Sequence, residues 1–210
     1  MSLKLKTAPT EEPVAVDLIR QHLKLDTSDD DVLIQEYIGT AREFVENQTH
    51  RAMFTQTWTL WLDGFPIDSA ALGWWDGVRQ GALVQGVSSH IEIPRPPLVS
   101  VTHLKTYDTD DVATTFDSAG YFVDIASEPG RLALASGYTW PSSLRLTNAV
   151  EVEFVAGQAV TNIPRTLRHA VMLLTSHLYE NREIVTDGIN LGTLPTSLSE
   201  LIASERVHSL

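Results

Sequence analysis

Residues 163–183, Ile-Pro-Arg-Thr-Leu-Arg-His-Ala-Val-Met-Leu-Leu-Thr-Ser-His-Leu-Tyr-Glu-Asn-Arg-Glu, constrain the fold more than any other stretch of the chain. Leu167, Ala170, Val171, Leu174 and Leu178 recur at the spacing that makes one apolar stripe on a 3.6-residue helix. Met172 and Leu173 widen that stripe until roughly half the circumference is apolar. A helix of this kind needs neighbours on more than one side, so it reads as the central rod of a helical core. Thr161 or Asn162 is the expected N-cap, with Pro164 in the first turn, where its missing N–H costs nothing. The far end turns polar at Tyr179-Glu180-Asn181-Arg182-Glu183. Glu180 and Glu183 oppose the helix dipole there by about a few tenths of a kcal/mol each. Together with Arg182 they read either as groups held for contacts with a partner or as a solvated helix end.

The stretch before residue 50 is helical in pattern as well. Residues 1–9 read as a loose arm. Thr10-Glu-Glu-Pro13 opens a short helix bearing Val16, Ile19 and Leu23. The acidic run Asp26-Thr-Ser-Asp-Asp-Asp31 lacks the central glycine and final glutamate of a calcium loop. It suits a helix start, with Ser28 or Asp29 as cap and the acids facing the positive end of the dipole. Leu33/Ile34, Tyr37/Ile38, Ala41 and Phe44/Val45 then carry a long helix to about His50.

From residue 54 to 156 the period changes to two. Thr55, Thr57, Thr59 and Trp61 alternate with Gln56, Trp58, Leu60 and Leu62. Later segments around Ile91, Leu98 to Tyr107, Thr114, Tyr121 to Ile125, Leu132 and Val150 to Val155 repeat the pattern, about six short strands in all. Residues 67–90 keep no period and set four glycines around Trp74-Trp75. Adjacent tryptophans cannot share one face of a strand; either one seeks a partner surface or both pack on the sheet. A last helix from Pro195 to about Val207 carries Leu198, Leu201 and Ile202. The expected class is α+β: a helical bundle of N-terminal (10–50) and C-terminal (163–207) helices, with a β-rich insert of short antiparallel strands (54–156). No internal repeat or linker is visible, so residues 1–210 read as a single domain.

Composition narrows the function by exclusion. The formal net charge is −12, which disfavours a protein that wraps nucleic acid through clustered lysine and arginine. With no cysteine there are no disulfides, thiolate zinc sites or cysteine nucleophiles. No apolar run reaches the roughly 20 residues of a membrane span, and the N-terminal residues lack the apolar core of a signal peptide; synthesis in the cytosol is expected. His169 and His177 stand two helical turns apart, too far to share an ion unaided. Zinc-protease, nucleophile-elbow, dinucleotide and P-loop signatures are absent from the sequence, so neither metal, cofactor nor enzymatic activity is expected.

The order of the local signals is more distinctive than any one of them. Asp29-Asp-Asp-Val-Leu-Ile34 leads to Ala41-Arg-Glu-Phe-Val-Glu46, then Thr55-Gln-Thr-Trp58 and Leu62-Asp-Gly-Phe-Pro66. Ile93-Pro-Arg-Pro-Pro-Leu-Val-Ser-Val101, Glu128-Pro-Gly-Arg131, Trp140-Pro141, Val152-Glu-Phe-Val-Ala-Gly157 and the helix from Ile163 to Glu183 follow. In this the chain resembles the head–tail connector (adaptor) proteins of long-tailed phages, prophages and gene transfer agents, over about residues 12 to 205. Residues 67–90 are longer and richer in glycine and tryptophan than the family pattern.

The resemblance implies a structural protein of the virion, made in the bacterial host cytoplasm. It would form a ring, expected to be dodecameric, beneath the portal protein, continue the DNA channel, and dock the tail or the next connector. DNA would pass without specific binding, and no membrane or cofactor would be involved. Candidate contact residues are Trp74, Trp75, Glu180, Arg182, Glu183, Leu198, Leu201 and Ile202, with the segment from about 195 to 210 implied as the portal contact. The competing expectation is a small-molecule or protein-binding module built on the β-rich insert.

Overall fold

The computed structural model describes residues 1–66, 90–181 and 196–207. In chain order the elements are β1 (Ser2–Thr7), α1 (Val16–Leu23), α2 (Asp31–Thr49), β2 (Gln56–Leu62), β3 (His90–Ile93) and β4 (Leu98–Tyr107). There follow β5 (Ala113–Thr115), β6 (Tyr121–Asp124), β7 (Gly130–Leu134), β8 (Val150–Ala156), α3 (Arg165–Glu180) and α4 (Thr196–Ser204). Helices and antiparallel strands are segregated along the chain, an α+β arrangement. They form two compact units, one of residues 1–8 with 56–156 and one of 9–55 with 157–210.

The second unit is helical. α3 packs against α2, α1 and α4, and its expected stripe is its buried face: Leu167, Ala170, Val171 and Leu174 join Ile34, Ile38 and Val45 of α2 in one core. Under this core runs a charged clamp. Arg42 donates from Nε to Glu12 and from Nη1 to Glu46, each at 3.0 Å, while the other Glu46 oxygen accepts the Met53 N–H at 2.7 Å. One buried pair on α2 thereby fixes both the segment that precedes α1 and the turn that follows α2.

Helix starts differ from the sequence reading, and proline explains the clearest case. α3 begins at Arg165 with Pro164 as N-cap, while Thr161 and Asn162 belong to a separate one-turn 3₁₀ helix. A residue before proline is kept out of the α region, so Ile163 is extended and no helix can pass through it. Likewise α1 starts after Ala15 rather than at Thr10, because Glu12 precedes Pro13 and is engaged by Arg42. α2 starts after Asp30, not Ser28 or Asp29; the Asp30 carboxylate accepts the Tyr179 hydroxyl instead of capping the helix.

Among its described residues the first unit is β-rich, with one 3₁₀ turn at Ser118–Gly120. A five-stranded antiparallel sheet has the order β1-β2-β8-β4-β5, and a three-stranded one β3-β7-β6. The N-terminal residues are therefore not a loose arm. Ser2 to Thr7 pairs with β2, from Ser2 opposite Trp61 to Thr7 opposite Thr57. β8 is central, and its alternation decides the two faces: Val150, Val152, Phe154 and Ala156 are buried, with Glu151 and Glu153 on the opposite side. Gly130 on β7 lets the three-stranded sheet approach β4, since a Cβ there would stand 2.6 Å from the Leu98 side chain. Eight strands are present among the described residues, seven of them within 54–156.

Candidate functional site

Trp74, Trp75, Arg182 and Glu183, and nearly all of the irregular 67–90 stretch, lie outside the described residues. Glu180 is exposed at the last position of α3, where Asn181 closes the helix by donating from backbone and side chain to the His177 carbonyl, the amide at 2.9 Å. Leu198 and Ile202 are core residues of the helical unit, and Leu201 is partly buried against it. Their i, i+3, i+4 spacing gives α4 one apolar face, and α4 needs that face to pack on α3 and α2. The end of α4 is pinned as well: Arg51 Nε donates to the Glu205 carbonyl at 2.8 Å, and the Val207 N–H to the Thr49 carbonyl at 3.0 Å. What α4 offers to a partner is its other side, where Ser199, Glu200 and Ala203 are exposed.

Among the described residues of the β unit is a side-chain network that the sequence hid. Register sets Thr59, Glu153 and His103 in one row across β2, β8 and β4, and Trp61, Glu151 and Lys105 in the next. His103 Nε2 lies 3.3 Å from one Glu151 oxygen, and the Tyr107 hydroxyl donates to the other at 2.6 Å. Lys6, reaching in from β1, donates to Glu153. The Arg145 guanidinium covers the Tyr107 ring at 4.1 Å and the Trp61 ring at 5.9 Å. Donation to Glu151, reinforced by burial, pushes the Tyr107 hydroxyl up to about 12. Burial alone would raise Glu151, but Tyr107, His103 and Lys105 outweigh it and hold the carboxylate below its usual range.

Ligand atoms of His103, Glu151 and Glu153 lie within 4.8 Å of one another, a donor set suited to a transition-metal ion. Lys6 and Tyr107 already occupy carboxylate oxygens, so the cluster is satisfied as a charge network that ties three strands and one edge together. Aromatic rings beside it stack on one another: Phe65 lies 4.2 Å from Trp140 and nearly parallel to it, and Phe116 tilts onto Trp140 at 5.2 Å. Glu151 and Glu153 are legible in the sequence as the polar face of a strand. Their partners are not, since His103 and Lys6 stand 48 and 147 residues away.

Among the described residues of the β unit, a satisfied charge network and stacked rings make an arrangement suited to presenting surfaces. Comparison with known proteins points the same way. Residues 14–112, just under half of the chain, match the family described as phage gp6-like head-tail connector protein. The chain resembles the head–tail connectors of phages and gene transfer agents. Among solved structures it is similar to a chain from the neck of an empty gene transfer agent particle computed with C6 symmetry, at TM-score 0.72 and 25% identity, covering 100% of this chain and 97% of that one. A chain from the virion of a native gene transfer agent particle is similar at TM-score 0.71 and 22% identity, with the same coverage. So is one from the neck of a native particle computed with C12 symmetry, at TM-score 0.69 and 22% identity, again over 100% and 97%. No curated protein sequence matches the chain.

Proposed function

We propose that this chain is a head–tail connector subunit of a phage or gene-transfer-agent particle. Its two units work together as one subunit, the N- and C-terminal helices acting as one bundle. Twelve copies form a ring beneath the portal protein, extend the DNA channel, and dock the tail or the next connector. The protein is made in the host cytoplasm and ends at the head–tail junction. The observation that carries this reading is likeness over the full length, helical and β units alike, to a chain of a particle neck. A net charge of −12 supports it, because a ring of acidic subunits repels DNA phosphate and lets the duplex slide.

The portal contact assigned to the C-terminal segment falls on the outward side of α4, since its apolar side is used within the subunit. The test is to mix purified protein with the portal from its own genome and image the product by negative stain. Rings seated on portals support the connector; absence of any association overturns it.

A further inference from the structure

The five-stranded sheet ends on two edges, β1 and β5, that have no further strand beside them among the described residues. An open edge is a template for another chain, and proteins usually blunt it with charge. Here the two edges carry opposite charge. β1, Ser-Leu-Lys-Leu-Lys-Thr, has Lys4 and Lys6 and no acid, with Lys6 already paired to Glu153 of the same sheet. The stretch around β5, from residue 108 to 117, has Asp108, Asp110, Asp111 and Asp117 and no lysine or arginine of its own, Asp111 alone being paired to a cation outside it, Arg145, among the described residues. Both edges also leave apolar surface uncovered: Leu5 is 39% and Val112 57% exposed, and every residue of β5 is exposed.

Backbone geometry on the β5 side is open. The Phe116 N–H turns inward to the Leu104 carbonyl at 2.8 Å, so alternation along the strand turns the backbone groups of Ala113 and Thr115 outward. Every neighbour in the sheet is antiparallel, so β1 and β5, first and fifth in order, run in the same direction. A neighbouring copy brought in by a modest rotation can therefore lay its β1 alongside this β5 as a parallel pair.

We propose that β1 of one subunit pairs with β5 of the next, and that this edge-to-edge contact joins copies of the chain into the ring. The charges also choose the mode of contact. β1 against β1 sets lysines against lysines, and β5 against β5 sets aspartates against aspartates; only the unlike edges attract. Contact between unlike surfaces is head-to-tail, the kind that closes rings, whereas like-with-like contact stops at a dimer. The pairing is short, because β5 has only three residues, so it forms where a second partner already holds the copies side by side. This inference rests on the connector reading.

The chain has no cysteine, so introduced thiols report cleanly. Paired strands lie about 4.8 Å apart, within disulfide range. Leu5→Cys is combined in turn with Ala113→Cys, Thr114→Cys or Thr115→Cys, assembled on portal and oxidised, with the four single variants alongside. The proposal expects a covalent ladder running beyond the dimer in at least one double variant and only monomer in every single one. Dimers from Leu5→Cys alone would mean like edges meet and would overturn it. Rings visible on portals with no ladder in any double variant would also overturn it while leaving the connector reading intact. A second measurement uses charge: Lys4→Glu and Asp110→Lys should each cut ring yield several-fold, and the double variant should recover it. Yields that ignore both changes would contradict the proposal even if the thiol pairs misalign.

Discussion

Glu46 ties α2 to the turn that follows it through Arg42 and the Met53 N–H. Its side chain and that of Arg42 are 7% and 8% exposed, so solvent has little access to either group. Breaking a buried pair costs up to about 3–5 kcal/mol, and without Glu46 the Arg42 guanidinium keeps only Glu12 and the more distant Glu43. Glu46→Ala should lose stability on that scale in urea melts, because Met53 loses its acceptor as well. Glu43, 69% exposed and 3.7 Å from Arg42, is the control, and Glu43→Ala should cost no more than about 0.5 kcal/mol. The second residue-scale expectation concerns Tyr107. Its raised pKa means the folded state favours the protonated phenol; that stabilisation is complete below the ordinary value of 10 and fades as pH climbs through about 12. Absorbance titration near the phenolate band, assigned with Tyr107→Phe, should place its midpoint at about 12. Glu151→Gln should bring it back toward 10.

Elements show where sequence periodicity speaks and where it stops. The stripe on α3 was legible because four of its residues repeat at helical spacing and all four are buried. Leu174→Ala should therefore cost about 2–5 kcal/mol in a denaturant melt. The start of α3 was not legible from its polar residues, because Pro164 acts backward on Ile163 and outranks the capping preference of Thr161 and Asn162. β1 escaped notice since a six-residue strand at an edge needs little apolar content, and its Leu–Lys alternation gains meaning only beside β2. Most of the later strands were readable, but their order was not: β2 meets β8 across about ninety residues, and no local pattern records that. α4 was read as a partner-binding face, while its Leu198 and Ile202 close the core. Deleting the chain after residue 194 would consequently unfold the helical unit rather than merely release the portal. Glu200→Lys on the outward side should leave the melting temperature within a degree or two and weaken portal binding; an unchanged affinity would move the contact off this helix.

At the scale of the whole molecule, the chain combines a charge of −12, two compact units and full-length likeness to proteins of particle necks. Like charge opposes the approach of free subunits, most strongly at low salt, because the screening length grows from about 10 Å at 0.1 M to about 30 Å at 0.01 M. The edges at β1 and β5 oppose that trend locally, but three paired residues cannot hold a ring in dilute solution. On the proposed reading, docking on a portal would raise the effective concentration of neighbours to roughly the millimolar range, enough for weak contacts to close a ring. The proposal then fixes an order of assembly, in which rings form only where a portal waits. Light scattering at micromolar concentration, with and without the portal from the same genome, measures this directly. The account predicts monomer alone and a complete ring on the portal; a chain that stays monomeric in the presence of its portal would contradict it.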